Sequence, residues 1–303
     1  MWRNLSSILE MIRFSHTLFA LPFALMAAVM AWNTPADHDG QGFQWRQLLG
    51  ILLCMTLARS AAMAFNRIAD RRIDAENPRT ENRHLPSGAL SLSSVVLFTA
   101  LTSCMFVAST LIFLPNPLPV ALSVPVLGVL FAYSFTKRFT AFAHFWLGLS
   151  LFLAPVSAWI AIRGVVLIEH PADILPALVL GTAVLLWVAG FDMIYACQDV
   201  AFDHQAKLHS VPVSLGVVGA LRLAAACHVG MGVALISLPF LCPQVGLGAV
   251  FLTGVAAVCL LLVYEHWLVR PDDLTRVNIA FFNVNSIISM GLFLAATVDL
   301  IWW

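Results

Sequence analysis

Apolar residues in this chain gather into long unbroken runs separated by short polar breaks, the pattern of a bilayer solute rather than of a soluble core. About 20 helical residues cross the ~30 Å hydrocarbon layer, and on that scale the runs predict nine helices, at 14–33, 46–66, 92–114, 118–135, 141–163, 173–194, 214–240, 245–268 and 277–301. Hydrocarbon offers backbone N–H and C=O groups no partner, so a spanning segment is a helix or a strand of a closed barrel. The period-two alternation of barrel strands is missing here. The fold class expected is therefore all-α, a polytopic membrane protein with nine transmembrane helices.

Composition strengthens this reading: 60% of the 303 residues are hydrophobic and 11% charged, with a mean hydropathy of +0.89. The first apolar run is long enough to be a span and lacks a small-residue cleavage site, so no removable signal peptide is expected. The six cysteines form no C-x-x-C pair, and most fall inside spans. They read as buried free thiols. No nucleic-acid partner is expected; the partner that composition demands is the lipid bilayer.

Charge gives the orientation. Lysine and arginine in short loops are retained on the cytoplasmic side, and with the N-terminus inside, 14 of the 16 fall there, leaving Arg46 and Arg163 opposite. An even number of helices would break that asymmetry. The zero net charge thus conceals a basic cytoplasmic face able to gather anions, and the expected location is the cell (inner) membrane.

Two inner loops are long and polar, 67–91 and 195–213. In the first, NRIADRRIDAENPRTENRHLPSG packs five arginines and four acids into residues 66–88. Asn66, Asp70 and Asp74 are four apart, so they drift only about 80° around a helix and share a face. Asp192, Asp199 and Asp203, spaced seven and four, fall within about 40° of one direction by the same arithmetic. Asp70-x-x-x-Asp74 and Asp199-x-x-x-Asp203 also share their spacing 129 residues apart, a faint sign of two related halves meeting at a cavity.

Facing carboxylate rows repel unless a cation lies between them. Oxygen donors without matched histidine or cysteine favour a hard ion such as Mg²⁺, which is commonly shared with phosphate oxygens. The guanidinium and ammonium groups of Arg67, Arg71, Arg79, Arg83, Lys137, Arg138 and Lys207 suit such an anion. Two other readings stay open at this level: a solvated inner loop whose acids pair with its own arginines, and a cation transporter with an acidic pathway.

The motifs themselves resemble a known family. NRIADRRIDAENPRTENR looks like the first aspartate motif of the UbiA superfamily of membrane prenyltransferases, DMIYACQDVAFD is similar to the second, and YSFTKRFT at 133–140 lies between them in the expected order. The likeness covers most of the chain, which implies a single domain over 1–303. It departs at Arg83-His84-Leu85, where many members have R-P-L. The opening RFSHTLFALPFAL is most similar to the 4-hydroxybenzoate polyprenyltransferase branch or its menaquinone-pathway relatives.

The resemblance implies a central cavity capped on the cytoplasmic side, in which a polyprenyl diphosphate is ionised with Mg²⁺ and its prenyl group is passed to an aromatic acceptor. That acceptor would be 4-hydroxybenzoate in ubiquinone biosynthesis, or a naphthoate in a menaquinone pathway. It further implies Asn66, Asp70 and Asp74 for one Mg²⁺ and Asp199 and Asp203 for a second, with Asp70 and Asp199 essential to catalysis. Asp192 would orient the acceptor, stabilise the allylic cation or accept the ring proton, unless it merely caps its span. Tyr133 and Tyr195 could hydrogen-bond either substrate or sit as interfacial anchors. Arg13 could pair with an acceptor carboxylate or fix topology.

Overall fold

The computed structural model of the protein describes residues 11, 19–35, 42–274, 276–277 and 280–302. Arg13 lies outside the described residues. Among them the chain is helical and carries no β-sheet. The helices are α1 (Leu21–Asn33), α2 (Trp45–Glu76), α3 (Leu92–Ser109), α4 (Leu118–Thr136), α5 (Ala143–Glu169), α6 (Leu175–Ala196), the short α7 (Val200–Gln205), α8 (Val211–Leu241), α9 (Ala249–Leu268) and α10 (Asn285–Trp302). Eight helical segments are long and apolar enough to cross a membrane, and α1 is a shorter apolar helix. Among the described residues each of the nine apolar runs thus contributes a helix, in an integral membrane protein.

Two elements depart from the expected boundaries. The second helix does not stop at 66 but runs to Glu76, 32 residues in all, or about 48 Å against a hydrocarbon layer of ~30 Å. Its charged last turns must therefore stand clear of the apolar layer, and they carry the first acid row. Helix α8 begins at Val211, with its backbone broken at Gly216 (φ 69°, ψ 169°). A side chain would clash in that left-handed conformation, which glycine adopts freely.

Helix α6 is the hub, packing extensively on α5 and α8. Trp187 on α6 is fully buried among Phe23, Phe191 and Phe19, with ring centroids 5.2, 5.0 and 6.4 Å away. This main apolar core joins α1, α5, α6, α8, α9 and α10, whereas Leu57, Ala61, Phe106 and Leu127 form a smaller cluster joining α2, α3 and α4. Gly148 lets α5 approach α6, because a Cβ there would lie 2.5 Å from the Leu185 carbonyl oxygen.

The helix ends opposite the acid rows are locked by a buried ion pair. Arg163 donates from Nε to Asp173 Oδ2 (2.7 Å), from Nη2 to Asp173 Oδ1 (2.6 Å) and from Nη1 to the Thr34 carbonyl (2.8 Å). It ties α5 to the end of α1 and to the turn before α6.

Candidate active site

Between α2–α4 on one side and α5–α6 on the other lies a cavity of about 480 Å³. Its deeper wall is apolar, with Ile51, Met55, Phe106, Leu122, Val126 and Leu151. Its mouth is polar and charged, with Asn66, Asp70, Asp74, Asp192, Asp199 and Asp203 all lining it. The two acid rows separated in sequence share one pocket.

The first row stands on the projecting end of α2. Asn66 Nδ2 donates to Asp70 Oδ2 at 2.8 Å and to Ser134 Oγ at 3.4 Å. Arg138, from the α4–α5 turn, donates from Nη2 to the Ala69 carbonyl (2.7 Å) and to Asp70 Oδ1 (3.3 Å). Asp74 is bonded by Arg83 Nη1 at 2.7 Å and has Arg67 Nη1 3.8 Å away. Thr80 Oγ1 donates to the Asp74 carbonyl at 3.0 Å, folding the loop back onto the helix end.

The second row is gripped by the first loop. Arg79 donates from Nε to Asp199 Oδ1 (2.8 Å), from Nη2 to Asp199 Oδ2 (2.5 Å) and from Nη1 to Tyr195 Oη (2.8 Å). Burial works against the Arg79 cation, yet the bonds and charge of Asp199 and Tyr195 outweigh it and raise the guanidinium above its ordinary range. Lys137 Nζ lies 3.9 Å from Asp203. Asp192, one to two turns deeper, is bonded to the ring of His144 at 2.7 Å. Tyr133 lines the cavity within electrostatic reach of Asp192 and Asp70.

Comparison with known proteins follows from this geometry. The model of the UbiA prenyltransferase family matches residues 20–287. The chain belongs to that family. It is an integral membrane prenyltransferase. It is 32% identical over 289 residues to the 4-hydroxybenzoate octaprenyltransferase of Vibrio atlanticus, covering 92% of each chain. Among solved structures it is similar to the apo form of a UbiA homologue from Aeropyrum pernix, with TM-score 0.80, 30% identity and coverage of 94% of this chain and 98% of that one. A UbiA homologue from Archaeoglobus fulgidus bound to GPP and Mg²⁺ shares the fold, with TM-score 0.70, 18% identity and coverage of 98% and 100%.

Within this UbiA chain the rows' charge is balanced largely across loops, with Arg79 on Asp199 and Arg138 on Asp70, while Arg83 on Asp74 is a pairing within one loop. Two carboxylate oxygens, Asp74 Oδ2 and Asp203 Oδ2, are buried and accept no hydrogen bond. Among the described residues no three of histidine, cysteine, aspartate and glutamate converge closely enough to hold a metal by themselves. Bare oxygens in an all-oxygen donor set fit Mg²⁺ completed by ligands from a phosphate group.

Not every sequence candidate reaches the pocket. Arg71 and Lys207 do not line it. Arg71 Nη1 instead donates to the Ile68 carbonyl at 3.1 Å, because its Cα lies about 60° beyond Asp74 on the helix. Lys207, exposed and at φ 54°, closes the turn after α7.

Conversely, two groups were not singled out from sequence, one lining the pocket and the other bonded to a residue that does. Arg59, taken as an inner-face cation, lies on α2 two turns below Asn66, half-buried in the cavity wall, with its buried Nε bonded to nothing. A lone arginine inside an apolar run was its available signal. His144 is fully buried and meets Asp192 across 48 residues, a separation that no local pattern reveals.

Proposed function

We propose that this enzyme transfers a polyprenyl group from a polyprenyl diphosphate to 4-hydroxybenzoate, at the cytoplasmic face of the inner membrane, in ubiquinone biosynthesis. The observation that carries the reading is the division of one cavity into an acid- and base-lined mouth and an apolar floor, with Arg59 at their border. An amphiphile with a diphosphate head and hydrocarbon tail matches the two zones, and Arg59 offers a carboxylate partner beside them. The names of the curated relatives support the same acceptor.

Mg²⁺, held by Asn66, Asp70 and Asp74 on one row and by Asp199 and Asp203 on the other, would neutralise charge developing on the diphosphate leaving group. On the family resemblance, turnover depends above all on the carboxylates of Asp70 and Asp199. Arg67, Arg79, Arg83, Lys137 and Arg138 donate to its phosphate oxygens, and Tyr133 and Tyr195 add hydroxyl donors. The C–O bond breaks with its electron pair on the diphosphate. The allylic carbon then takes an electron pair from the aromatic ring, forming a C–C bond, and the ring's displaced proton passes to Asp192. The apolar wall keeps water from the cation, which would otherwise become the alcohol. Family membership leaves the cation-transport reading without support.

The test supplies purified protein with Mg²⁺ and a polyprenyl diphosphate and offers 4-hydroxybenzoate and a dihydroxynaphthoate side by side, resolving products by mass. Prenylated 4-hydroxybenzoate is expected. Prenylation of the naphthoate alone would replace the acceptor named here, and absence of diphosphate turnover with either would overturn the reading.

A further inference from the structure

His144 stands where three helices meet. It is the second residue of α5 and its side chain has no exposed surface. Its Nδ1 lies 2.7 Å from Asp192 Oδ2 on α6, and its Nε2 receives the backbone N–H of Val211 at 3.4 Å. Val211 is the first residue of α8, so this N–H is one of the donors that a helix start leaves without an internal partner.

That second contact settles where the ring proton is. A backbone N–H can only donate, so Nε2 presents its lone pair and the proton of the neutral ring sits on Nδ1, aimed at Asp192. Asp192 accepts no other hydrogen bond from the described side chains and lines the cavity. The imidazole therefore binds one carboxylate oxygen and leaves the other for the pocket. The α5–α6 approach that Gly148 permits, one helical turn from His144, sets the distance.

We propose that His144 is a positioning residue for prenyl transfer: its Nδ1–H, fixed by the start of α8, holds the Asp192 carboxylate toward the acceptor ring. This rests on the reading of Asp192 as the group that takes the ring proton. His144 touches neither substrate; it acts through Asp192, as supporting hydrogen bonds orient ligands and bases elsewhere.

The test compares full-length His144→Asn, His144→Leu, Asp192→Asn and the double variant His144→Leu/Asp192→Asn in the 4-hydroxybenzoate assay, with thermal unfolding of each. Asparagine puts an amide N–H near the position of Nδ1–H, and leucine fills the space without a donor. His144→Leu is expected to lower kcat about 10–100-fold with KM for both substrates little changed, His144→Asn to recover most of kcat, and the double variant to be no slower than Asp192→Asn. Equal kcat losses in the asparagine and leucine variants, or losses that multiply in the double variant, would mean packing alone and overturn the proposal. Wild-type turnover in His144→Leu alongside an inactive Asp192→Asn would overturn it too, while leaving the role of Asp192 standing. Full activity in Asp192→Asn would instead remove the reading on which the proposal rests.

Discussion

The guanidinium of Arg79 clasps the carboxylate of Asp199 with two hydrogen bonds, although the residues are 120 positions apart. A third bond to Tyr195 makes this arginine the clasp between the two motif loops. Replacing Arg79 by alanine would leave Asp199 without its guanidinium partner beside Asp203 and remove a donor proposed for the diphosphate. The expected result is a fall in kcat/KM for the diphosphate of about 10²–10³-fold. Lysine should recover part of it, since an ammonium keeps the charge but cannot form the fork. Steady-state kinetics with varied diphosphate decides this.

Metal removal should abolish turnover without unfolding the protein. Arginine and lysine already offset much of the charge of Asp70, Asp74, Asp199 and Asp203, so the fold does not wait for the metal as small metal-dependent domains do. Chelation with EDTA is expected to stop product formation, added Mg²⁺ to restore it, and the thermal midpoint to remain unchanged. A large drop in that midpoint would show that the ion is structural.

Arg59→Leu should weaken the aromatic acid selectively. With its Nε unengaged in the cavity wall, Arg59 has bonding capacity for a carboxylate, worth about 1.5–3 kcal/mol per charged hydrogen bond. KM for 4-hydroxybenzoate is expected to rise about 10–100-fold, while KM for the diphosphate changes little. Equal changes in both would point to disruption of the cavity as a whole.

Gly148→Ala introduces a methyl group facing a rigid backbone oxygen at 2.5 Å, so α5 must move away from α6. The cost expected is about 1–3 kcal/mol, read as a lower midpoint of thermal unfolding. Because His144 lies one turn away on α5, kcat should fall in the same variant.

At the opposite face, Asp173→Asn strands the nearly buried Arg163 without its counter-ion. Breaking a buried pair costs about 3–5 kcal/mol, and here that loss should appear in the thermal midpoint with both KM values unaltered. A change in KM would mean that this lock communicates with the pocket.

Much of this architecture could be read before any coordinates. Hydrocarbon permits few backbone solutions, so apolar run length located the helices, and the four-residue spacing of Asn66, Asp70 and Asp74 placed them on one face of α2. Helical drift explains the mixed result for arginines: Arg67, seven residues before Asp74, points almost the same way and lines the pocket, whereas Arg71 turns aside. The break at Gly216 and the meeting of His144 with Asp192 depend on how helices distant in sequence approach each other. Hydrophobicity along the chain carries no such distance.

The overhang of α2 beyond the apolar layer has a topographic result. Its acids stand at the seam between oil and water, so a two-phase molecule could react there with each half still in the medium that dissolves it. No extraction of a long tail into water is then required, and the barrier to solubilising it drops out of the catalytic cycle.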